Sequence, residues 1–161
     1  MAKPARNSSP TDILSTSRTF FVTSKTMSGA CLLQTERNVG LLINVMRDYA
    51  AEGKFKIHDF VVMPNHVHLL ITVGGRMTIE KAVGMIKGRF SYRLQRETGY
   101  LGGIWQRGFS EVRVENRKSF LAHREYIAQN PVKARLVACA EDFPFSSTFL
   151  RRQQAAAAKA G

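Results

Sequence analysis

Apolar positions along the chain recur with two periods. Arg18-Thr19-Phe20-Phe21-Val22-Thr23-Ser24 is rich in β-branched and aromatic residues and predicts a first strand. From about Cys31 to Ala51 the apolar residues Leu32, Val39, Leu42, Ile43, Met46 and Ala50 fall at helical spacing, and Gly53 closes that helix. Ile57 to Met63 is a dense apolar run, Pro64-Asn65 a bend, and His66 to Val73 an alternating run, so two strands joined at Pro64 are expected. Thr78 then caps a helix that buries Ile79, Ala82, Val83, Ile86, Phe90 and Leu94, broken by Gly99 to Gly103. Ile104 to Val114 predicts a strand or bulged hairpin arm. Asn116 opens a further helix, running to about Asn130 and stopped by Pro131.

Strands interleaved with helices through short connections predict an α+β sandwich, one antiparallel sheet with helices on one face. At 161 residues the chain accommodates one domain with a real core. That domain is expected over residues 18–149, between a loose basic arm (1–17) and an alanine-rich tail (150–161) that frays or extends a helix.

Charge changes the picture. Lys and Arg number 24 against 12 Asp and Glu, a formal +12. Between Arg76 and Arg135, 13 basic residues face 5 acidic ones, so this middle carries +8 of the excess. A polyanionic partner follows, nucleic acid before membrane, because no stretch has the apolar length of a spanning helix. Lys87, Arg89, Arg93, Arg96 and Arg107 are the candidate DNA contacts, with Lys81 to Arg96 the main basic helix. Cys31 and Cys139 are far apart and form no metal-type pair, which fits a reducing cytoplasm.

The chemistry concentrates in Met63-Pro64-Asn65-His66-Val67-His68-Leu69-Leu70. On a strand, His66 and His68 point to one face, roughly 7 Å apart, while Val67, Leu69 and Ile71 point into the core. Two imidazoles so placed converge on one metal ion. In the last helix Tyr126 and Asn130 are spaced i, i+4 and share a face, with His123 one turn earlier. Asn130 adds an oxygen ligand beside the histidines, and mixed N/O ligation suits Mn²⁺ or Mg²⁺. Tyr126 alone would be a half-buried helix tyrosine. Beside a metal it becomes a nucleophile for a phosphodiester, and the covalent phosphotyrosine keeps the bond energy for rejoining. His58, ahead of a buried strand, reads as structural, and Tyr92 among basic residues as a base-stacking candidate.

Phe60-Val61-Val62-Met63-Pro64-Asn65-His66-Val67-His68-Leu69-Leu70 resembles the HUH motif of single-tyrosine transposases. Trp105-Gln106-Arg107-Gly108-Phe109 resembles the segment after their second long helix, and Tyr126-Ile127-Ala128-Gln129-Asn130-Pro131 their tyrosine helix. Asp142-Phe143-Pro144-Phe145-Ser146-Ser147 resembles the pattern closing their domain. The Asn-Pro after the tyrosine looks most like the REP-associated branch (RAYTs). The resemblance implies a single-domain ferredoxin-like or RRM-like sheet with the metal site on its open face. It implies Mg²⁺ or Mn²⁺, cleavage and rejoining of single-stranded DNA at hairpins, no nucleotide cofactor and no membrane. Carried over, Tyr126 is the nucleophile, His66 and His68 are metal ligands and Asn130 is the third. A glutamine serves as third ligand in the insertion-sequence branch, which leaves Gln129 as the alternative amide. His123 has no counterpart and stands with Gln129 as a supporting group. The branches imply a monomer or a homodimer, acting in the bacterial cytoplasm at the nucleoid. The rival reading is a repurposed, non-mobile protein that binds DNA hairpins without cutting them.

Overall fold

Alternation along Arg18–Lys25 makes strand β1, with Phe20 and Val22 buried on one side and Phe21 and Thr23 half-buried on the other. The computed structural model describes residues 17–160, so the predicted arm, Ser17 apart, lies outside the described residues, as does Gly161. Strand β2 (Lys56–Met63), β3 (His66–Val73) and β4 (Ser110–Val114) complete one antiparallel sheet in the order β2-β3-β1-β4. Register is set by Arg18 opposite Val73 and Lys25 opposite His66, with Thr23 opposite His68.

Two helices cover one sheet face. Helix α1 (Glu36–Ala51) contributes Leu42, Val45 and Met46, and α2 (Ile79–Thr98) contributes the stripe from Ile79 to Leu94. They close over Phe20, Val22, Val67, Leu69 and Ile71, the inward set expected from the strand period. Hydroxyls of Thr35 and Thr78 cap the two helices by accepting from Asn38 N–H and Lys81 N–H.

The α+β class and the single antiparallel sheet are as expected. The second sheet face, expected to be free of helices, instead receives helix α3 (Arg117–Lys133). Its Ile127 packs with Val61, Met63, Leu70, Val114 and Phe143. These strand residues are apolar on the outer face too, and such a surface is too costly to leave wet.

Three boundaries differ from the pattern. Helix α1 starts at Glu36 rather than near Cys31, because Leu33 N–H is committed to Pro64 C=O at 2.9 Å. In the segment from Ile104 only Ser110–Val114 is strand. Trp105 makes a single bridge to Thr26, and Gly108 (φ 79°) turns the chain through a left-handed conformation. Pro131 does not stop α3. It forfeits its own N–H bond, yet Ala134 still donates to Asn130 C=O. The helix closes where Arg135 (φ 60°) donates to Val132 and Leu136 to Pro131, the paired bonds of a left-handed C-terminal turn.

After α3 the chain returns along the outer edge of β2, where Val62 donates to Phe145 C=O at 2.8 Å. Helix α4 (Ser147–Ala160) then runs through the boundary expected at 149/150 and includes the alanine run.

Candidate active site

On β3 the two-residue period sets His66 and His68 toward α3, with ring centroids 4.7 Å apart and planes crossed at 77°. Each ring is fixed through Nδ1. His66 Nδ1 donates to Asn65 Oδ1 at 2.8 Å, and His68 Nδ1 lies 2.8 Å from Thr23 Oγ1 across the β1–β3 ladder. Both rings therefore keep Nε2 for another partner, the arrangement in which metal-ligating imidazoles are oriented by a hydrogen bond at the opposite nitrogen. Sequence reasoning did not single out Thr23 or Asn65. Their signals were Asn65's place in the quoted motif and Thr23's outward position on the first strand.

The rings are also held neutral. Burial, then the neighbouring His66 and Lys25, lowers His68 to about 4 from an ordinary 6.5; burial and Lys25 lower His66. Neutral imidazoles need lose no proton to bind a cation.

Helix α3 brings its side chains over this pair. Asn116 caps it by accepting from Ser119 N–H. The Tyr126 ring stands edge-on to His68 at 5.5 Å and to Phe21 at 5.7 Å, and is 43% exposed. One turn on, Asn130 Nδ2 lies 3.5 Å from His68 Nε2. A half-turn of that amide presents its oxygen to the same place. Among the described residues no three His, Cys, Asp or Glu side chains gather around a common point. A metal here would have two imidazoles and an amide within reach, and Asn130 is the amide brought to His68. The donors fit Mn²⁺ or Mg²⁺. His123 packs tilted against Phe21 at 4.8 Å, and its Nδ1 donates to Ser119 C=O at 2.8 Å within its own helix.

The tyrosine helix buries only Ile127 and Pro131, so its seat depends on a polar anchor as well. Asp59 of β2, 1% exposed, receives Arg124 Nε of α3 at 3.0 Å and Arg151 Nη1 of α4 at 2.7 Å. The Arg124 contact is an ion pair whose angle is not that of a hydrogen bond, whereas Ser147 Oγ donates to Asp59 Oδ1 at 2.9 Å. Asp59 went unnoticed in the sequence. Its signal was a carboxylate inside the apolar run Ile57 to Met63, where burial demands a cationic partner.

A hollow of about 460 Å³ opens in front of the histidines, lined also by Lys25, Gln106 and Tyr126. Helix α2, which carries most of the basic candidates, covers the other sheet face. Lys87 donates to Gln106 C=O and Gly108 C=O, Arg89 stacks on Tyr49, Arg93 pairs with Asp48, and Arg96 approaches Tyr92. Of the five predicted DNA contacts, the structure sets Arg107 beside the histidine face, in the next hollow. His58 meets Thr72 Oγ1 at 2.7 Å and the edge of Phe120.

A pH dependence follows for the metal-free protein. The unfolded chain takes a proton on His68 near the ordinary value, the folded chain only near 4, so folding binds fewer protons between them. Stability from this group is complete above the ordinary value and is lost as pH falls toward 4, by roughly 3 kcal/mol at most. Denaturant midpoints at pH 7 and 4.5 should fall further in the parent than in His68→Gln. Equal falls would assign the acid response to other groups.

Residues 31–130 match the family described as "Transposase IS200 like". An Escherichia coli K12 protein, REP-associated tyrosine transposase, is 34% identical over 107 residues, covering 66% of this chain and 59% of its own length. The match thus spans about three-fifths of that relative. A solved REP-associated tyrosine transposase bound to a REP hairpin superposes with a TM-score of 0.67 at 33% identity, covering 83% of this chain and 78% of its own. A solved chain from Deinococcus radiodurans R1, at 20% identity, shares the fold with a TM-score of 0.54, over 78% of this chain and 95% of its own.

Proposed function

The chain belongs to the IS200-like transposase family, and from that premise we propose that it cleaves and rejoins single-stranded DNA at REP-like hairpins through a covalent bond to Tyr126. The observation that supports this most is the edge-on Tyr126 ring 5.5 Å from His68, over two imidazoles held through Nδ1, with Asn130 beside His68 Nε2. Likeness to a structure that holds a REP hairpin supports the substrate class.

The Tyr126 hydroxyl attacks phosphorus, the P–O3′ bond breaks, and the departing oxygen leaves as a 3′-OH. A 5′-phosphotyrosine remains. Attack by a second 3′-OH forms a new phosphodiester and returns Tyr126 to its free form, so strand joining needs no ATP. His66, His68 and Asn130, with Gln129 the alternative amide, would hold Mg²⁺ or Mn²⁺, which when bound would supply positive charge against the phosphate. Asn65 and Thr23 keep the imidazoles oriented, and the buried Asp59 holds α3 so that Tyr126 stays over them. Among the described residues no helix is long and apolar enough to cross a membrane. The proposed setting is the bacterial cytoplasm, on chromosomal DNA.

The test incubates the protein and Mn²⁺ with labelled single-stranded hairpins, drawn from palindromes flanking its gene, and resolves the products on a denaturing gel. A DNA-linked protein band that chelator removes is the expected result. No band, with tight hairpin binding retained, would leave a hairpin-binding protein that does not cut.

A further inference from the structure

Several cations placed by the fold are matched by carboxylates. Arg93 pairs with Asp48, Arg152 with Asp142, and Arg124 and Arg151 share Asp59. Among the described residues neither Lys25 nor Arg107 has a carboxylate partner, and their place sets them apart. Both border open space on the histidine side of the sheet. The hollow before His66 and His68 adjoins a second, of about 300 Å³, lined by Arg107, Gly108 and Ser110, and the two share Thr23, Lys25 and Gln106 as a common wall.

This wall is built, not incidental. Gln106 N–H donates to Lys25 C=O at 2.8 Å, tying the 105–108 segment to the end of β1. From beneath, Lys87 reaches the carbonyls of Gln106 and Gly108 at 3.1 and 2.7 Å, and Trp105 Nε1 donates to Lys87 C=O at 3.2 Å. The outward period of β1 then presents Phe21, Thr23 and Lys25 in a row. Phe21 stacks on His68, Thr23 bonds it, and Lys25 stands opposite His66 in the ladder.

An unpaired cation beside a metal-type histidine pair weakens cation binding there, since like charges repel. A phosphate seated there offsets that repulsion, and the open hollows leave room for one. We propose that Lys25 and Arg107 form a backbone subsite that binds two phosphates of the single strand flanking the one attacked by Tyr126. The strand then runs from the histidines over Lys25 toward Arg107 and the edge of β4. This rests on the transposase reading for which phosphate reacts. The subsite itself concerns binding alone.

The test uses Tyr126→Phe protein, so that DNA stays intact, and a single-stranded oligonucleotide containing the hairpin. One unpaired phosphate at a time is replaced by a neutral methylphosphonate. Lys25→Ala should weaken binding about tenfold, as for one charge-assisted hydrogen bond, and should reduce the slope of log affinity on log salt by about 0.7. Lys25→Arg should restore both. At one phosphate position neutralisation should cost the parent the same factor and cost Lys25→Ala nothing further; a neighbouring position should behave so with Arg107→Ala. Lys25→Gln and Arg107→Gln serve as second variants, and thermal melts check folding. If losses from protein and DNA multiply at every position, neither side chain meets a phosphate and the subsite is wrong. Coupling with no covalent adduct in the parent would keep the subsite and remove the transposase reading. An adduct without coupling would do the reverse.

Discussion

Tyr126→Phe is expected to abolish the covalent protein–DNA adduct and strand rejoining while leaving hairpin affinity within about twofold. The substitution removes one oxygen and keeps the ring, hence its edge contacts to His68 and Phe21. The ring is 43% exposed, and among the described residues its hydroxyl makes no hydrogen bond. A folding cost within about 0.5 kcal/mol is therefore expected, as at an ordinary surface position. Chemistry is another matter. No other hydroxyl on α3 stands over the histidines, and loss of a covalent nucleophile costs cleavage on the order of 10⁴ or more. A denaturing gel reads the adduct, a filter or mobility assay reads hairpin affinity, and a thermal melt reads the fold. Cleavage, binding and melting temperature all falling together would make the phenol a structural group and sink the nucleophile assignment.

The strands and the inward set of β3 were legible because burial on one face imposes a strict two-residue period, and Val67, Leu69 and Ile71 obey it. The capping hydroxyls of Thr35 and Thr78 and the stripe from Ile79 to Leu94 are equally local signals. The face taken by α3 was not legible. That helix buries only Ile127 and Pro131, so its sequence carries almost no apolar stripe to declare an orientation. The histidine pair and the Tyr126–Asn130 spacing were each readable alone. Their meeting was expected, but what enforces it was not readable, because it depends on where α3 crosses, and that is set by long-range contacts to Val61, Leu70 and Asp59. The partner of the basic helix was not legible either. Charge along α2 announces solvent exposure but not a partner, and its arginines find Asp48, Tyr49 and Tyr92 within the chain.

Removing both arginines from Asp59 should destabilise the protein far more than the sum of the single removals. Arg124→Ala alone leaves Arg151 Nη1 at 2.7 Å from the carboxylate, and Arg151→Ala alone leaves Arg124 Nε at 3.0 Å. Each arginine is about 40% exposed, so the charge lost is partly solvated, and a cost of about 1 kcal/mol each is expected. Asp59 is 1% exposed and has no such relief. With both cations gone it keeps, among the described residues, only the Ser147 hydroxyl, and a buried charge without its partner costs about 3–5 kcal/mol. The excess over additivity is thus about 1–3 kcal/mol, the size expected for groups in one network. Urea titration of parent, singles and double at pH 7 measures it. Asp59→Asn in the double-arginine background should recover most of the loss, because a neutral amide still accepts from Ser147. Additive losses near 2 kcal/mol would mean that water reaches the carboxylate, and that α3 is seated by Ile127 and Pro131 alone. If the excess appears, cleavage in the double variant should also fall ahead of hairpin affinity, since α3 carries Tyr126 and the sheet carries the histidines.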